Sequence, residues 1–171
     1  EFDRSFKDSD VSLAVDVKTY AQAAEGLKLT AEISRDGNVV AKMEKDGISV
    51  AAGGKNTVNL RTKVSSPLKW SAETPDLYDL TMTLTDASGK VIDTMKKRMG
   101  FKKTEIIDGV FYLNGKPIKV NAECSHMQHP ELGHAMDEAT VRKDFEILKQ
   151  FNFNAVRTSH YPPVNEYLDL A

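Results

Sequence analysis

Apolar and polar residues alternate along most of the first hundred positions of this chain. Val11, Leu13, Val15 and Val17 are separated by polar or small residues, and the same period of two recurs further along. This alternation is typical of antiparallel strands that bury one face. Because such a face needs a covering layer, the pattern predicts an immunoglobulin-like β-sandwich of six or seven strands. The later runs lie at 27–33, 39–40, 58–64, 80–84 and 91–99.

The pattern changes after Lys103. Asp137 is a suitable helix N-cap, and from Val141 onward apolar residues fall at i, i+4 and i+7 on one helical face. A short apolar run at 154–156 predicts a strand, and residues 164–171 begin a second helical pattern. Strand and helix in alternation are typical of a parallel sheet covered by helices.

These patterns predict a mainly β fold with two parts. Residues 1–103 are expected to form the immunoglobulin-like sandwich, and residues 104–171 a truncated (β/α)₈ barrel segment, since a whole barrel takes roughly 250 residues. The chain opens at Glu1 without Met and ends at Ala171 inside a helical pattern, so both ends are expected to be cuts. Truncation would leave strand edges near Val120 and Val156 unpaired, which predicts a possible dimer through those barrel strands.

Composition narrows the possible partners. The 171 residues carry a net charge of −2, which gives no basic surface for a nucleic acid backbone. No run reaches the roughly 18 apolar residues of a membrane span. Cys124 is the single cysteine, so no disulfide framework forms within the chain. Localisation remains open between the cytoplasm and the periplasm.

Several motifs, in a fixed order, resemble glycoside hydrolase family 2. The most specific is Asn152-Phe153-Asn154-Ala155-Val156-Arg157-Thr158-Ser159-His160-Tyr161-Pro162, which is similar to the family's N-x-N-A-V-R-x-S-H-Y-P. Four others precede it: Trp70-Ser71-Ala72-Glu73-Thr74-Pro75-Asp76-Leu77-Tyr78, Gly100-Phe101-Lys102, Leu113-Asn114-Gly115-Lys116-Pro117 and Met136-Asp137-Glu138.

Within that family the nearest likeness is to β-galactosidases, which implies retaining hydrolysis of terminal β-galactosides in a longer enzyme. Retaining enzymes use two carboxyl groups about 5–5.5 Å apart, one as acid/base and one as nucleophile. The resemblance places both on later barrel strands, as glutamates outside residues 1–171. This chain is therefore expected to contain no catalytic residue and to be inactive alone.

The resemblance also implies substrate-binding residues. His126 and His160 correspond to histidines that hydrogen-bond sugar hydroxyls, and Arg157 corresponds to an arginine beside the nucleophile. The chain departs from the family next to His126, where Ser125 and Met127 replace the usual Arg and Glu. No metal site is expected in this segment, although His126 and His129 have H-x-x-H spacing, since they lie in a loop. The resemblance leaves open Mg²⁺ or Na⁺ in the longer enzyme.

A second class of function is consistent with a sandwich fold. A stand-alone carbohydrate-binding or adhesion module would use exposed aromatic residues to stack on sugars, and Trp70 and Tyr78 are the candidates. Packing within the sandwich is the commoner use of such residues. A module of this kind would have no use for the S-H-Y-P motif on a strand–helix unit.

Overall fold

The computed structural model describes all residues from 1 to 171. The chain forms two compact units, Glu1–Lys116 and Pro117–Ala171. The first contains β1 (Ser9–Lys18), β2 (Ala24–Arg35), β3 (Asn38–Val50), β4 (Lys55–Val64), β5 (Tyr78–Thr85), β6 (Val91–Met99), β7 (Thr104–Ile107) and β8 (Val110–Leu113). After the short β9 (Lys116–Pro117), the second contains β10 (Ala122–Ser125), α1 (Glu138–Gln150), β11 (Ala155–Thr158) and α2 (Asn165–Leu170).

The first six strands form the predicted sandwich, and the mainly β fold class is confirmed. One sheet has four antiparallel strands in the order β3-β2-β5-β6, and the other pairs β1 with β4. The two hairpins, β2–β3 and β5–β6, meet through the pairing of β2 with β5. Each predicted run of alternating residues lies on one of these strands.

The core lies between the two sheets. Ala31 and Ile33, at the centre of β2, have no exposed surface. They pack among the inward-facing residues of both sheets, including Leu29, Met43 and Leu60. The alternation seen in the sequence is thus the alternation between this core and solvent.

The tryptophan motif after β4 packs against the sandwich. The Tyr78 hydroxyl accepts a hydrogen bond from the Leu68 backbone N–H at 2.9 Å, and its ring meets Phe101 edge-to-face at 4.9 Å. The Lys102 ammonium lies 4.2 Å from the centre of the Trp70 ring. A Cβ added at Gly100 would lie 2.9 Å from Trp70, so glycine is required for this close approach. Both aromatic residues therefore have packing roles.

A hairpin that follows Lys103 also folds with the sandwich unit. β7 and β8 are antiparallel, and the turn after β8 contains Asn114 with a φ of 51°. The Asn114 side chain accepts a hydrogen bond from the Lys103 backbone N–H at 3.0 Å and donates one to the Trp70 carbonyl at 3.0 Å. The compact unit thus extends beyond residue 103, to Lys116.

The second unit is a parallel strand pair with two helices. β10 and β11 pair in parallel, and the Asp137 carboxylate caps α1 by accepting a hydrogen bond from the Thr140 backbone N–H at 2.8 Å. Hydrogen bonding from the Thr140 hydroxyl, and then from its backbone N–H, lowers the pKa of Asp137. Val141 and Tyr167 form its small apolar core with Met127. Neither helix is long and apolar enough to cross a membrane.

The two bonds of the Asn114 amide predict a specific loss of stability. We expect Asn114→Gly to lower the free energy of unfolding by about 2 kcal/mol, because it leaves a partly buried N–H and a carbonyl without partners. Glycine accepts the positive φ, so backbone strain does not contribute. Urea unfolding followed by tryptophan fluorescence would measure the change.

Asp108→Gly provides the matched control, since Asp108 also has a positive φ, of 49°, and is exposed. Asp108→Gly should change the free energy of unfolding by no more than about 0.5 kcal/mol, as is usual for surface positions. Equal effects of the two substitutions would contradict a stabilising role for the Asn114 amide.

Candidate functional site

The predicted site residues lie where the two parallel strands end. Cys124 pairs with Arg157 and Ser125 with Thr158, and His126 follows directly after β10. The ladder continues one step beyond β11, because the Ser159 backbone N–H donates to the Ser125 carbonyl at 2.8 Å. The carboxyl ends of parallel strands are where barrel and other α/β folds place their ligand sites.

The structure brings His126, Arg157 and His160 together. The rings of His126 and His160 are 5.8 Å apart and nearly perpendicular. Arg157 Nη2 lies 3.5 Å from His160 Nδ1. Because a guanidinium has only donors, this contact is a hydrogen bond only with His160 Nδ1 as the acceptor, and in that tautomer Nε2 carries the N–H. His160 thus presents an N–H donor on the side away from Arg157.

Arg157 is exposed and contacts polar groups of its own unit. Its Nη1 lies 3.7 Å from Cys124 Sγ, across the parallel pair. Its side-chain contacts, with Cys124 and His160, do not include a carboxylate. Solvent therefore supplies most of the stabilisation of this charge.

Two residues that sequence reasoning had not assigned to the site, Tyr161 and His134, join this cluster. The Tyr161 hydroxyl accepts a hydrogen bond from the Met127 backbone N–H at 2.9 Å, and the ring lies 6.4 Å from His126. His134 Nδ1 bonds the Met127 carbonyl at 2.8 Å, so this nitrogen carries the proton. The signal for Tyr161 was its place in the S-H-Y-P motif; nothing in the local sequence marked His134.

His129 has a structural place in the loop. Its Nδ1 accepts hydrogen bonds from the backbone N–H groups of Glu131 and Leu132, at 3.1 and 3.0 Å. Its own backbone exchanges two hydrogen bonds with Gly133. His129 of the H-x-x-H pair therefore shapes a turn. No group of three or more His, Cys, Asp or Glu residues is placed to hold a metal ion.

Two hydroxyl groups are buried close to these strand ends. Ser159 and Tyr167 each expose 2% of their surface, and neither side-chain hydroxyl has a hydrogen-bond partner. Burial raises the pKa of Tyr167. The nearby Ser125 hydroxyl lowers this pKa by a smaller amount, although the Tyr167 hydroxyl has no hydrogen-bond partner. Burial also raises the pKa of Asp144. The Ser159 and Tyr167 hydroxyl groups are therefore buried polar groups without hydrogen-bond partners.

The fold and the site together define a class. The chain is a β-sandwich followed in sequence by a unit of parallel strands and helices. Histidines and an arginine lie at the carboxyl ends of the two parallel strands. The family model for the glycosyl hydrolases family 2 TIM barrel domain matches residues 104–171, and the glycosyl hydrolases family 2 model matches residues 1–102. The chain belongs to glycosyl hydrolases family 2.

Curated relatives carry the name β-galactosidase. The Photobacterium profundum β-galactosidase is 33% identical over 168 residues, and β-galactosidase 2 of Enterobacter cloacae is 37% identical over 166 residues. Both alignments cover 95% of this chain and 16% of the relative. The chain thus spans about a sixth of the length of these relatives.

Solved structures agree with this family. A Bacteroides uniformis β-glucuronidase is similar with a TM-score of 0.87 and 30% identity, over 97% of this chain and 20% of the other. A putative β-galactosidase from Bacteroides fragilis gives a TM-score of 0.88 and 25% identity, over 98% of this chain and 25% of the other.

The buried Tyr167 hydroxyl predicts a dependence of stability on alkaline pH. Its pKa is raised above the usual 10 in the folded chain, so the folded state keeps the phenol neutral while the unfolded chain ionises. This contribution to stability is complete below pH 10 and is lost as pH rises through the folded pKa. We expect Tyr167→Phe to reduce the loss of stability above pH 10.

Tyr20→Phe is the control, since Tyr20 is 91% exposed. Urea midpoints measured between pH 8 and 11 should fall equally in the unaltered chain and in Tyr20→Phe, and less in Tyr167→Phe. Parallel curves for all three would show that Tyr167 titrates as it does in the unfolded chain.

Proposed function

We propose that this chain is the sandwich and the opening barrel segment of a retaining glycoside hydrolase that cleaves terminal β-galactosides. The observation that carries the proposal is the convergence of His126, Arg157 and His160 at the carboxyl ends of β10 and β11. The β-galactosidase name of relatives that align over 95% of the chain supports galactose as the sugar.

Each site residue has a role consistent with its geometry. His126 and His160 would hydrogen-bond hydroxyl groups of the sugar, and the Nε2–H of His160 is the donor that its contact with Arg157 leaves available. Arg157 would stand beside the carboxylate nucleophile, which the rest of the barrel would supply. The resemblance places neither glutamate among residues 1–171, so the isolated chain should be inactive.

We also propose that the barrel sequence begins at Thr104, and that the sandwich domain comprises residues 1–103. The family models support this division, since one matches residues 1–102 and the other residues 104–171. The β7–β8 hairpin would then be barrel-domain sequence that folds within the Glu1–Lys116 unit.

A chimera tests the role of the site. The matched segment of the Photobacterium profundum β-galactosidase would be replaced by this chain, and hydrolysis of an aryl β-galactoside and an aryl β-glucuronide would be measured. We expect the chimera to hydrolyse the galactoside with a higher kcat/KM than the glucuronide. His160→Ala should lower kcat/KM by about 10- to 100-fold, the cost of one lost hydrogen bond to substrate.

Two controls accompany this experiment. His129→Ala, which alters a loop histidine away from the proposed sugar contacts, should change kcat/KM less than His160→Ala does. Calorimetric titration of the 171-residue chain with galactosides should give no saturable binding. Clear saturable binding would instead favour the carbohydrate-binding module, and a preference for the glucuronide would overturn the choice of galactose.

The strand pair also supports the expected dimer. β10 and β11 form a sheet of two strands only, and Val120, just ahead of β10, is 51% exposed. Open strand edges with apolar residues tend to recruit another chain. We expect light scattering to show a dimer that Val120→Lys shifts toward the monomer; a monomer at all concentrations would contradict this proposal.

A further inference from the structure

His126 is exposed, and its imidazole makes no hydrogen bond of its own, yet its ring lies 5.8 Å from that of His160. The residue directly follows Ser125, the last paired residue of β10. An exposed side chain has several staggered rotamers available, and the backbone that carries it decides where those rotamers point. The direction of this ring therefore depends on what holds the peptide groups on either side of His126.

Both of those peptide groups are bonded to the segment that contains His160. On the amino-terminal side, the Ser125 carbonyl accepts a hydrogen bond from the Ser159 backbone N–H at 2.8 Å. On the carboxyl-terminal side, the Met127 backbone N–H donates to the Tyr161 hydroxyl at 2.9 Å, and the same hydroxyl lies 3.5 Å from the Met127 carbonyl. The two histidines are thus the middle residues of two segments that are bonded to each other at both ends.

The two bonds differ in what they require of the sequence. The bond from Ser159 uses main-chain groups only, so any residue except proline can supply it. The bond to the Met127 N–H uses a phenol hydroxyl at the end of a rigid side chain, which among the amino acids only tyrosine has. Tyr161 is therefore the bonding partner that the amino-acid sequence specifies.

His134 holds the same backbone through a second side-chain bond. Its Nδ1 donates to the Met127 carbonyl at 2.8 Å, and its ring meets that of Tyr161 edge-to-face at 6.0 Å. The Tyr161 ring in turn lies 6.4 Å from that of His126. The Met127 side chain is 4% exposed and packs in the small apolar core of the second unit. The backbone after His126 is thus held by two hydrogen bonds and by a buried side chain.

We propose that Tyr161 is a positioning residue, which holds His126 against His160 so that both imidazoles face a sugar from fixed directions. The sugar contacts rest on the proposed function, whereas the holding of His126 is a property of the chain itself. Tyr161 acts through the Met127 N–H, not by touching substrate. Its effect on the reaction is expected to be large, since misplacing a binding group by about 1 Å can cost about 10²-fold in rate.

Nuclear magnetic resonance of the 171-residue chain tests the positioning without any measurement of activity. We expect Tyr161→Phe to raise the hydrogen-exchange rate of the Met127 amide by about tenfold, because this N–H loses its acceptor. The nuclear Overhauser effect between the ring protons of His126 and His160 should weaken in the same variant. Phenylalanine keeps the aromatic ring, so the change reports the loss of the hydroxyl.

Tyr167→Phe is the matched control. The Tyr167 hydroxyl belongs to the same unit, is buried and has no hydrogen-bond partner. Its removal should therefore leave the Met127 exchange rate and the contact between the rings of His126 and His160 unchanged. Equal changes in Tyr161→Phe and Tyr167→Phe would overturn the proposal, and so would an unchanged Met127 amide in Tyr161→Phe.

The chimera that tests the proposed function also supplies a kinetic test of Tyr161. Tyr161→Phe should lower kcat/KM for the aryl β-galactoside by about tenfold. When His126→Ala is already present, the same substitution should lower kcat/KM by less than about twofold, because a residue that acts through His126 then has nothing left to position.

An equal loss in the two backgrounds would overturn the proposal, since Tyr161 would then act by touching substrate or by stabilising the fold. A chimera without galactosidase activity would contradict the proposed function alone. The exchange rate of the Met127 amide and the contact between the two imidazole rings would still decide whether Tyr161 positions His126.

Discussion

The constraint on which the sandwich depends is the burial of the centre of β2. Ala31 and Ile33 have no exposed surface, and both neighbouring strands of the same sheet and the facing pair β1–β4 are needed to exclude water from them. A sheet face of this size cannot remain uncovered in water, because burial of apolar area supplies the main favourable free energy of folding. The order β3-β2-β5-β6 places the most buried strand, β2, inside and the charged strand β6 at an edge. The lysines of β6 are suited to that place, since charge discourages pairing between edges.

The arrangement of the site depends on a second constraint, the parallel register of β10 and β11. Ser125 and Thr158 are partners, so the residues that follow them leave the sheet at the same level. The hydrogen bond from the Ser159 backbone N–H to the Ser125 carbonyl extends the strand pairing by one residue. It therefore holds the backbone next to His160. His126 and His160 therefore meet although 34 positions separate them in the sequence. His126 and His160 lie one and two residues beyond these strands. Their closeness to the strand ends favours their use for orienting a ligand, since strands hold a site more precisely than loops do.

Much of the fold could be predicted from the sequence because the signals were local. Alternation of period two identified β1 to β6, and the Asp137 cap with Val141 identified α1, since both depend only on neighbouring residues. The membership of the β7–β8 hairpin in the sandwich unit could not be predicted, because it depends on bonds between Asn114 and the distant Trp70 and Lys103. His134 was not assigned to the site for the same reason: its contacts with Met127 and Tyr161 exist only in the folded loop. The candidate residues His126, Arg157 and His160 were named by resemblance, and the structure adds their proximity.

The exposure of Arg157 bears on how the rest of a barrel would have to be built. Here the guanidinium is solvated, so its charge needs no partner. Closing a barrel around it would remove that water, and a buried charge without a counterion costs several kcal/mol even after relaxation. A single hydrogen bond from Arg157 to a neutral sugar, worth about 1.5–3 kcal/mol, would offset only part of that cost. A carboxylate beside Arg157 would balance that charge, and the nucleophile proposed above for the longer enzyme is such a group. Under that proposal, charge balance and the chemistry would use the same group.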